Sequence, residues 1–404
     1  MFVDAKIKKE PGHLMTIYEA LRLFHRPKRW VTGEMTPQER KLVEQDLELY
    51  KEAKHVVCSY ETYQTLTPDE GHEIALLALD LYDARINSDD YVPQQVLTNL
   101  AESVPGALHG LHSRLLDRGI SFASNVIFRE ADPATRDRII SYLAQDQFPP
   151  FEGDARADLL CALAWIGDEH VQHQFIKWRQ VPPKWSGDFP GPLDLYTYEA
   201  GWELTIEGTR RNLYFAENYD LLQIDQVLST VYTEPIAVIT SHEGRCEWCG
   251  RALLTLFDMN LRDARMQFVW PGGERLRIAF CLNCSTQAKS VFTEVDAYGV
   301  SRWSSLNGEP PEYLDELGLD PTSLPYDRIK LGQMRRTAYV SQGSHVGGCP
   351  EWVQDAAFPQ CPGCGQTMLL VGQYEPVQVR YLEGIFYAFL CSTCGIATTG
   401  YQQT

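Results

Sequence analysis

Cys246-Glu247-Trp248-Cys249-Gly250, Cys281-Leu282-Asn283-Cys284-Ser285, Cys361-Pro362-Gly363-Cys364-Gly365 and Cys391-Ser392-Thr393-Cys394-Gly395 are four Cys-x-x-Cys knuckles that take up eight of the eleven cysteines in the chain. Two cysteines three apart can put both sulfurs on one cation, and a second such pair about thirty residues on completes a tetrahedral four-thiolate site. Sequential pairing joins Cys246, Cys249, Cys281 and Cys284 in one zinc ribbon and Cys361, Cys364, Cys391 and Cys394 in another. Three knuckles run into Gly250, Gly365 and Gly395, where freedom to take positive φ lets backbone N–H groups turn toward the sulfurs. Four thiolates leave no open coordination position, so two structural Zn2+ ions are expected. Disulfides, a redox-active Cys-x-x-Cys and an iron–sulfur cluster are the alternatives that spacing leaves open.

Around the knuckles the chain reads as short strands. Ile236–Thr240, Leu253–Phe257, Phe268–Trp270, Leu276–Phe280, Met368–Val371 and Ile385–Leu390 are β-type runs between turns, and Pro271-Gly272-Gly273 reads as a hairpin turn. Each metal is expected to clamp the mouth of a hairpin and to stabilise strands too short to pack well alone.

Toward the N-terminus the pattern changes to helices. Thr36-Pro37-Gln38-Glu39 and Thr67-Pro68-Asp69-Glu70 are capping boxes with Pro at the first helical position, and Asp132-Pro133 is a third start. Apolar residues then recur at three- and four-residue steps: Leu14, Ile17, Leu21 and Phe24; Ile74, Leu77 and Leu81; Leu108, Leu111 and Leu115. Within 155–180, Gly167-Asp168 separates two apolar-faced helices, a unit that resembles a HEAT repeat. The predicted fold class is α+β: an N-terminal all-helical region, HEAT-like or an irregular bundle, and then a β-rich domain with two four-cysteine zinc ribbons. The expected domains are an acidic helical region at 1–185, a linker with the first strands at 186–240, a first ribbon at 241–300, a loop-rich connection at 301–340 and a second ribbon at 341–404.

The net charge is −18, and 37 of the 54 acidic residues lie within 1–240. Nine of them fall in 61–105, with Arg85 alone against them. Such a surface repels phosphate backbones, so nucleic acid is an unlikely ligand for the ribbons, and it would steer a basic protein inward. Asp80, Asp83, Asp89 and Asp90 are the candidate partner-docking face. No run approaches the roughly eighteen apolar residues of a membrane span. The first residues lack a signal-peptide core, and Cys58, Cys161 and Cys349 remain unpaired. A cytoplasmic location is expected.

The run Ser344-His345-Val346-Gly347-Gly348-Cys349-Pro350-Glu351-Trp352-Val353-Gln354-Asp355, followed by Cys361-Pro362-Gly363-Cys364 and Gly384-x-x-Tyr387-x-Phe389-x-Cys391, resembles the YwqG-like family of bacterial proteins of unknown function. The resemblance covers about residues 200–404. It implies a β-rich fold and no particular chemistry. From the residues themselves, His345, Gly347, Gly348, Trp352, Gln354 and Asp355 form a possible binding loop, and Cys349 with His345 and Asp355 a possible nucleophile–base set. His170 and His173 could share a metal face, and His242 could replace a cysteine ligand. Trp165, Trp178, Trp185 and Trp202 are either contact anchors or core.

With no nucleotide-binding or hydrolase motif in the chain, the expected function is that of a non-enzymatic protein-binding protein. An immunity protein that neutralises a basic bacterial toxin effector by covering it is its particular form. An enzyme with its pocket at 345–355, and a nucleic-acid-binding ribbon protein, are the alternatives.

Overall fold

The computed structural model describes residues 15–24, 37–84, 91–119, 125–148, 155–224, 234–287, 290–312, 329–376 and 384–403. Among them, eight helices precede the first strand: α1 (Ile17–Phe24), α2 (Pro37–Cys58), α3 (Pro68–Ala84), α4 (Tyr91–Ser103), α5 (His112–Asp117), α6 (Pro133–Gln145), α7 (Ala155–Ile166) and α8 (Glu169–Gln180). Their starts follow the local chemistry. Before α3 the Glu70 carboxylate accepts the Thr67 N–H at 2.8 Å while Thr67 Oγ1 accepts the Glu70 N–H at 3.3 Å, a complete capping box. Asp132 caps α6 by accepting the Thr135 N–H at 2.8 Å. Gly167, at φ +52°, ends α7, and Asp168 caps α8 through the Val171 N–H at 2.9 Å. Leu14 and the box at Thr36 lie outside the described residues.

Thirteen described strands follow: β1 (Trp202–Leu204), β2 (Arg210–Asn212), β3 (Asn218–Gln223), β4 (Ile236–Arg245), β5 (Ala252–Asn260), β6 (Arg275–Phe280), β7 (Val291–Val295), β8 (Ser301–Trp303), β9 (Ile329–Met334), β10 (His345–Gly347), β11 (Leu369–Tyr374), β12 (Ile385–Cys391) and β13 (Ile396–Gln402). The fold is thus mixed helix and sheet. Eight strands form one antiparallel sheet in the order β8-β7-β13-β12-β11-β10-β3-β9, and β4-β5-β6 form a second.

Strand β12 is buried along its whole length. Its side chains alternate between two cores, as the two-residue period requires. Ile385, Tyr387, Phe389 and Cys391 enter the core shared with α1 and α3 to α7. Phe386, Ala388 and Leu390 enter a core shared with Phe257, Ile278 and Phe280 of the smaller sheet. The large sheet is therefore the middle of three layers, with helices on one face and the small sheet on the other. That double burial is why Ile385–Leu390 reads as an unbroken apolar run.

Several expectations are corrected. The 186–240 segment is not a linker at its start: Lys184–Asp188 and Leu193–Ala200 are 3-10 helices, with Trp185 and Leu193 in the helical core. Nor are the two ribbons separate units, because β7, which follows the first cysteine set, pairs with β13, which follows the second. Loop-rich 301–340 contributes β8 and β9. Phe268–Trp270 is a turn, with Phe268 stacked on Tyr219 at 6.2 Å between ring centres. Helix α7 packs on α6, on Leu193–Ala200 and on the 3-10 turn Val126–Phe128 as well as on α8. It sits among irregular neighbours and not in a ladder of helical pairs. Trp165, Trp178, Trp185 and Trp202 are all core.

Phe389 is 1% exposed in the central strand, so Phe389→Ala should lower unfolding free energy in urea by about 3–5 kcal/mol. Ile206, 97% exposed, should tolerate the same truncation within about 0.5 kcal/mol.

Candidate functional site

The structure brings the eight knuckle cysteines into two clusters, Cys246/Cys249/Cys281/Cys284 and Cys361/Cys364/Cys391/Cys394, with the four sulfurs of each within 4.8 Å of one another. Sulfur pairs measured at 3.4 Å (Cys249–Cys281), 3.7 Å (Cys246–Cys284) and 3.7 Å (Cys364–Cys391) are too long for a disulfide. They fit a tetrahedral ion, since metal–sulfur bonds of about 2.3 Å place sulfurs roughly 3.8 Å apart.

Two knuckles share one backbone turn. The N–H of Gly250 reaches the Cys246 carbonyl at 2.8 Å and that of Gly365 reaches the Cys361 carbonyl at 2.8 Å, both glycines at positive φ. Gly395, at φ +63°, closes the tight turn between β12 and β13. The knuckle without a glycine solves the turn differently. Cys281 opens a short helix, α9 (Leu282–Ser285), and the Ser285 N–H bonds the Cys281 carbonyl at 2.8 Å, so right-handed backbone suffices.

Thiols this close cannot ionise independently. Hydrogen bonds from Cys281 and Cys284 pull Cys246 down to about 2, and the same contact pushes Cys281 up to about 12. A bound cation would resolve that conflict by stabilising all four thiolates. The clusters differ in exposure: Cys246, Cys281 and Cys284 are buried, whereas Cys364 and Cys394 face solvent. His242 is not a fifth ligand; its Nε2 meets the Ser301 carbonyl at 3.1 Å and its Nδ1 accepts the Gly244 N–H at 2.9 Å. His170 and His173 are exposed, and among the described residues no third ligand joins them.

The 345–355 loop lies against the helical face of the large sheet. His345 is fully buried with its ring nitrogens 2.7 Å from the Gly347 carbonyl and 3.1 Å from the Ser341 carbonyl, and burial holds it down at about 3. Gln373 donates to the Ser341 and Gly343 carbonyls, both at 2.8 Å, and accepts the Glu351 N–H at 2.7 Å. Tyr387 donates to the Glu351 carbonyl. Gln402 accepts the N–H groups of Val353 and Gln354 at 3.0 Å each and donates to the Asp355 carbonyl at 2.9 Å. His345, Gln373 and Tyr387 are register partners across β10, β11 and β12, a polar row that fixes the loop. Arg335, 5% exposed, pairs with Asp220 at 2.5 Å and donates to the carbonyls of Val340 and Gln342.

This anchoring corrects the expected binding loop. His345, Gly347 and Gly348 are buried structure, and Cys349 packs beside Tyr214 with burial pushing its thiol up. No Cys349–His345 pair forms. Trp352 and Gln354 do line a cleft of about 680 Å3, and Asp355 does not. The other walls are Cys58 of α2, Gln94, Gln95, Thr98 and Glu102 of α4, Trp165 of α7, Glu199, Glu375, and Ser341, Gln342, Gly343, Cys349, Pro350 and Glu351 of the 341–354 loop.

The glutamates of this cleft are unusual. Glu102, 5% exposed, accepts from Ser341 Oγ at 3.2 Å through Oε1, and its Oε2 has no partner among the described residues. Burial, then the charge of Glu351, raises it to about 8. Burial raises Glu351 to about 7 and Glu199 to about 6. The indole N–H groups of Trp165 and Trp352 are also buried without acceptors among the described residues. Sequence reading missed Glu102 and Glu199. The available signal was in α4, where Asn99, Glu102 and Ser103 interrupt the apolar stripe of Val92, Val96 and Leu100.

Of the expected docking face, Asp80 is exposed, and Asp83 pairs with Arg118 at 2.5 Å and lies 3.7 Å from Arg114, cations of α5 and its C-cap that fall outside the 61–105 window. Asp89 and Asp90 lie outside the described residues. Among those described, no helix is long and apolar enough to cross a membrane.

The chain is 31% identical over 355 residues to the uncharacterized protein YpfL of Salmonella typhimurium strain LT2, an alignment that covers 85% of this chain and 80% of the relative. It belongs to the YpfL family. No protein-family profile and no solved structure matches it. The match to YpfL spans most of both chains, so helical and β-rich parts fall within one family. The YwqG-like resemblance of the C-terminal half is not supported by these comparisons.

Two predictions follow from this geometry. Metal ions in both clusters would give two equivalents per chain by elemental analysis, and a thiol-modifying reagent should release one from the half-exposed Cys364/Cys394 site well before the other. The second concerns pH. Glu102 and Glu351 hold protons in the folded state that the unfolded chain gives up near 4.5, so their contribution is present at low pH and is lost as pH rises toward 7 to 8. Between pH 6.5 and 8, where His345 and His112 are uncharged when folded, unfolding free energy should fall by on the order of 1–2 kcal/mol. Glu102→Gln should flatten that slope in denaturant titrations.

Proposed function

We propose that this is a non-enzymatic protein-binding protein in which two structural Zn2+ ions fix the scaffold and the cleft between α4, α7 and the 341–354 loop receives a basic group of a partner. One observation carries the reading: the cleft wall holds Glu102, Glu199, Glu351 and Glu375 and no Lys, Arg or His. The overall charge of −18 would draw a basic partner in, and the same charge opposes a nucleic acid ligand. Covering the active site of a basic toxin effector, as an immunity protein does, is the particular task we assign to that surface.

A second reading has a specific observation behind it. Two glutamates raised to about 8 and about 7 in one cleft are suited to proton transfer at neutral pH. In an enzyme, Glu102 and Glu351 would then be the acid–base pair in place of His345, Cys349 and Asp355.

The test is capture of the tagged protein from its host at physiological salt, beside a Glu199→Gln/Glu351→Gln variant of matched stability. A stoichiometric basic protein held by the first and released by the second is the expected result. A small molecule retained and chemically altered by the parent protein alone would favour the enzyme.

A further inference from the structure

Resting on the binding reading above, we infer that the cleft is a pocket for one basic side chain of a peptide, with Glu102 and Glu351 pairing its cation and the indole N–H groups of Trp165 and Trp352 taking the peptide carbonyls beside it. Three unpartnered polar atoms support this inventory independently of the acidic charge. Among the described residues Glu102 Oε2 lacks a donor and the indole nitrogens of Trp165 and Trp352 lack an acceptor; all three atoms are buried, so a ligand reaches them by parting the side chains that line the cleft. Leaving such groups unpaired is costly, so a fitting ligand must supply both kinds of partner. A bare metal ion supplies no acceptor, and a carboxylate would be repelled by the four glutamates. A lysine or arginine within a peptide supplies the cation, its donors and neutral carbonyls together.

The surroundings support a cation. Glu102 is faced by the Ser341 hydroxyl and by Glu351 and Cys349 from the loop, and it feels the charge of Arg335, whose guanidinium is already engaged by Asp220 and by the carbonyls of Val340 and Gln342. Glu199 is held by the Ala356 N–H at 2.9 Å and feels Asp355. No side chain on the wall can act as the missing cation. A guanidinium could bridge two carboxylates through its planar fork, and an ammonium would pair as a point charge. Because Glu102 carries a proton near neutral pH, entry of either should expel it.

The experiment is calorimetric titration of the full chain at pH 7, in two buffers of different ionisation enthalpy. The probes are end-capped Gly-Arg-Gly and Gly-Lys-Gly, the uncharged Gly-citrulline-Gly, and n-butylguanidine, a monocation that has the guanidinium without the peptide. Binding of at least one basic peptide about 10-fold or more tighter than the citrulline peptide, with proton release, is expected. The Arg and Lys arms identify which cation is preferred. Glu102→Gln should reduce the proton release to the share that Glu351 supplies and weaken the basic peptide about 10-fold. Trp165→Phe, which keeps the ring, should weaken the peptide and leave n-butylguanidine unchanged. Equal binding of the citrulline peptide, or no effect of either variant, would overturn the pocket. n-Butylguanidine binding as tightly as the peptide would overturn the peptide assignment and count against a protein partner. A captured partner that binds Glu102→Gln unchanged would overturn this pocket while the protein-binding reading stood.

Discussion

The segment from Arg335 to Asp355 is laid between a sheet and a helical layer, where its peptide groups have little access to water. Buried backbone groups must find partners, and here the sheet supplies them. His345, Gln373, Tyr387 and Gln402 leave the helical face of β10 to β13 and bond the carbonyls and N–H groups of residues 341–355. Arg335 does the same for the carbonyls of Val340 and Gln342, with Asp220 holding its charge. The loop is therefore as fixed as the sheet. Glu351 and Trp352 hang from that frame, while Glu102 and Trp165 come from helices packed on it, and the cleft is the seam between the two.

The cysteine clusters sit at the same junctions from outside. The first lies with Val291 of β7 and with Trp303, which rests on Trp248 at 5.3 Å, so it joins the small sheet to an edge of the large one. The second sits at the turn of the β12–β13 hairpin, and the loop that brings Cys361 and Cys364 is tied to β1 and β2. Thr367 donates to Glu203, and its carbonyl accepts from Arg211 at 2.6 Å. Neither cluster can serve only its own hairpin. Both brace contacts between layers, a larger role than the local clamping that knuckle spacing suggests.

What was legible in the sequence was local. Knuckle spacing, the caps at Thr67, Asp132 and Asp168, and the apolar run of β12 each depend on residues a few positions apart, and all appear in the structure. Strands β1, β2, β3, β7, β8, β9, β10 and β13 are not legible locally: several are only three residues long, and Asn218–Gln223 and Ile396–Gln402 mix polar residues into faces that only neighbouring strands explain. The 345–355 loop was noticed for its reactive side-chain types. Burial turned His345 toward carbonyls and Cys349 into the core. The glutamates that gather in the cleft stand at 102, 199, 351 and 375, separations over which no periodicity or spacing rule operates.

The cleft has an electrostatic asymmetry that its walls do not cancel. A carboxyl buried beside another can avoid two adjacent negative charges by keeping its proton, as the raised values of Glu102 and Glu351 express. Protonation relieves the repulsion and leaves Glu102 Oε2 and two indole N–H groups unpaired. Water in the cleft does not reach these buried atoms and would not neutralise the carboxylates. Among the described residues the nearby interior cations do not cancel the asymmetry: Arg335 draws both carboxyls down less than burial raises them and is itself paired with Asp220, and Arg129 pairs with Glu130 and lies over the Tyr339 ring at 4.3 Å. A cation from outside satisfies charge and hydrogen bonding together, in surroundings of low dielectric where the attraction is stronger than at an open surface. An uncharged group of the same shape could meet only the hydrogen-bonding demand. The selectivity of the seam would thus reside in the charge of its occupant.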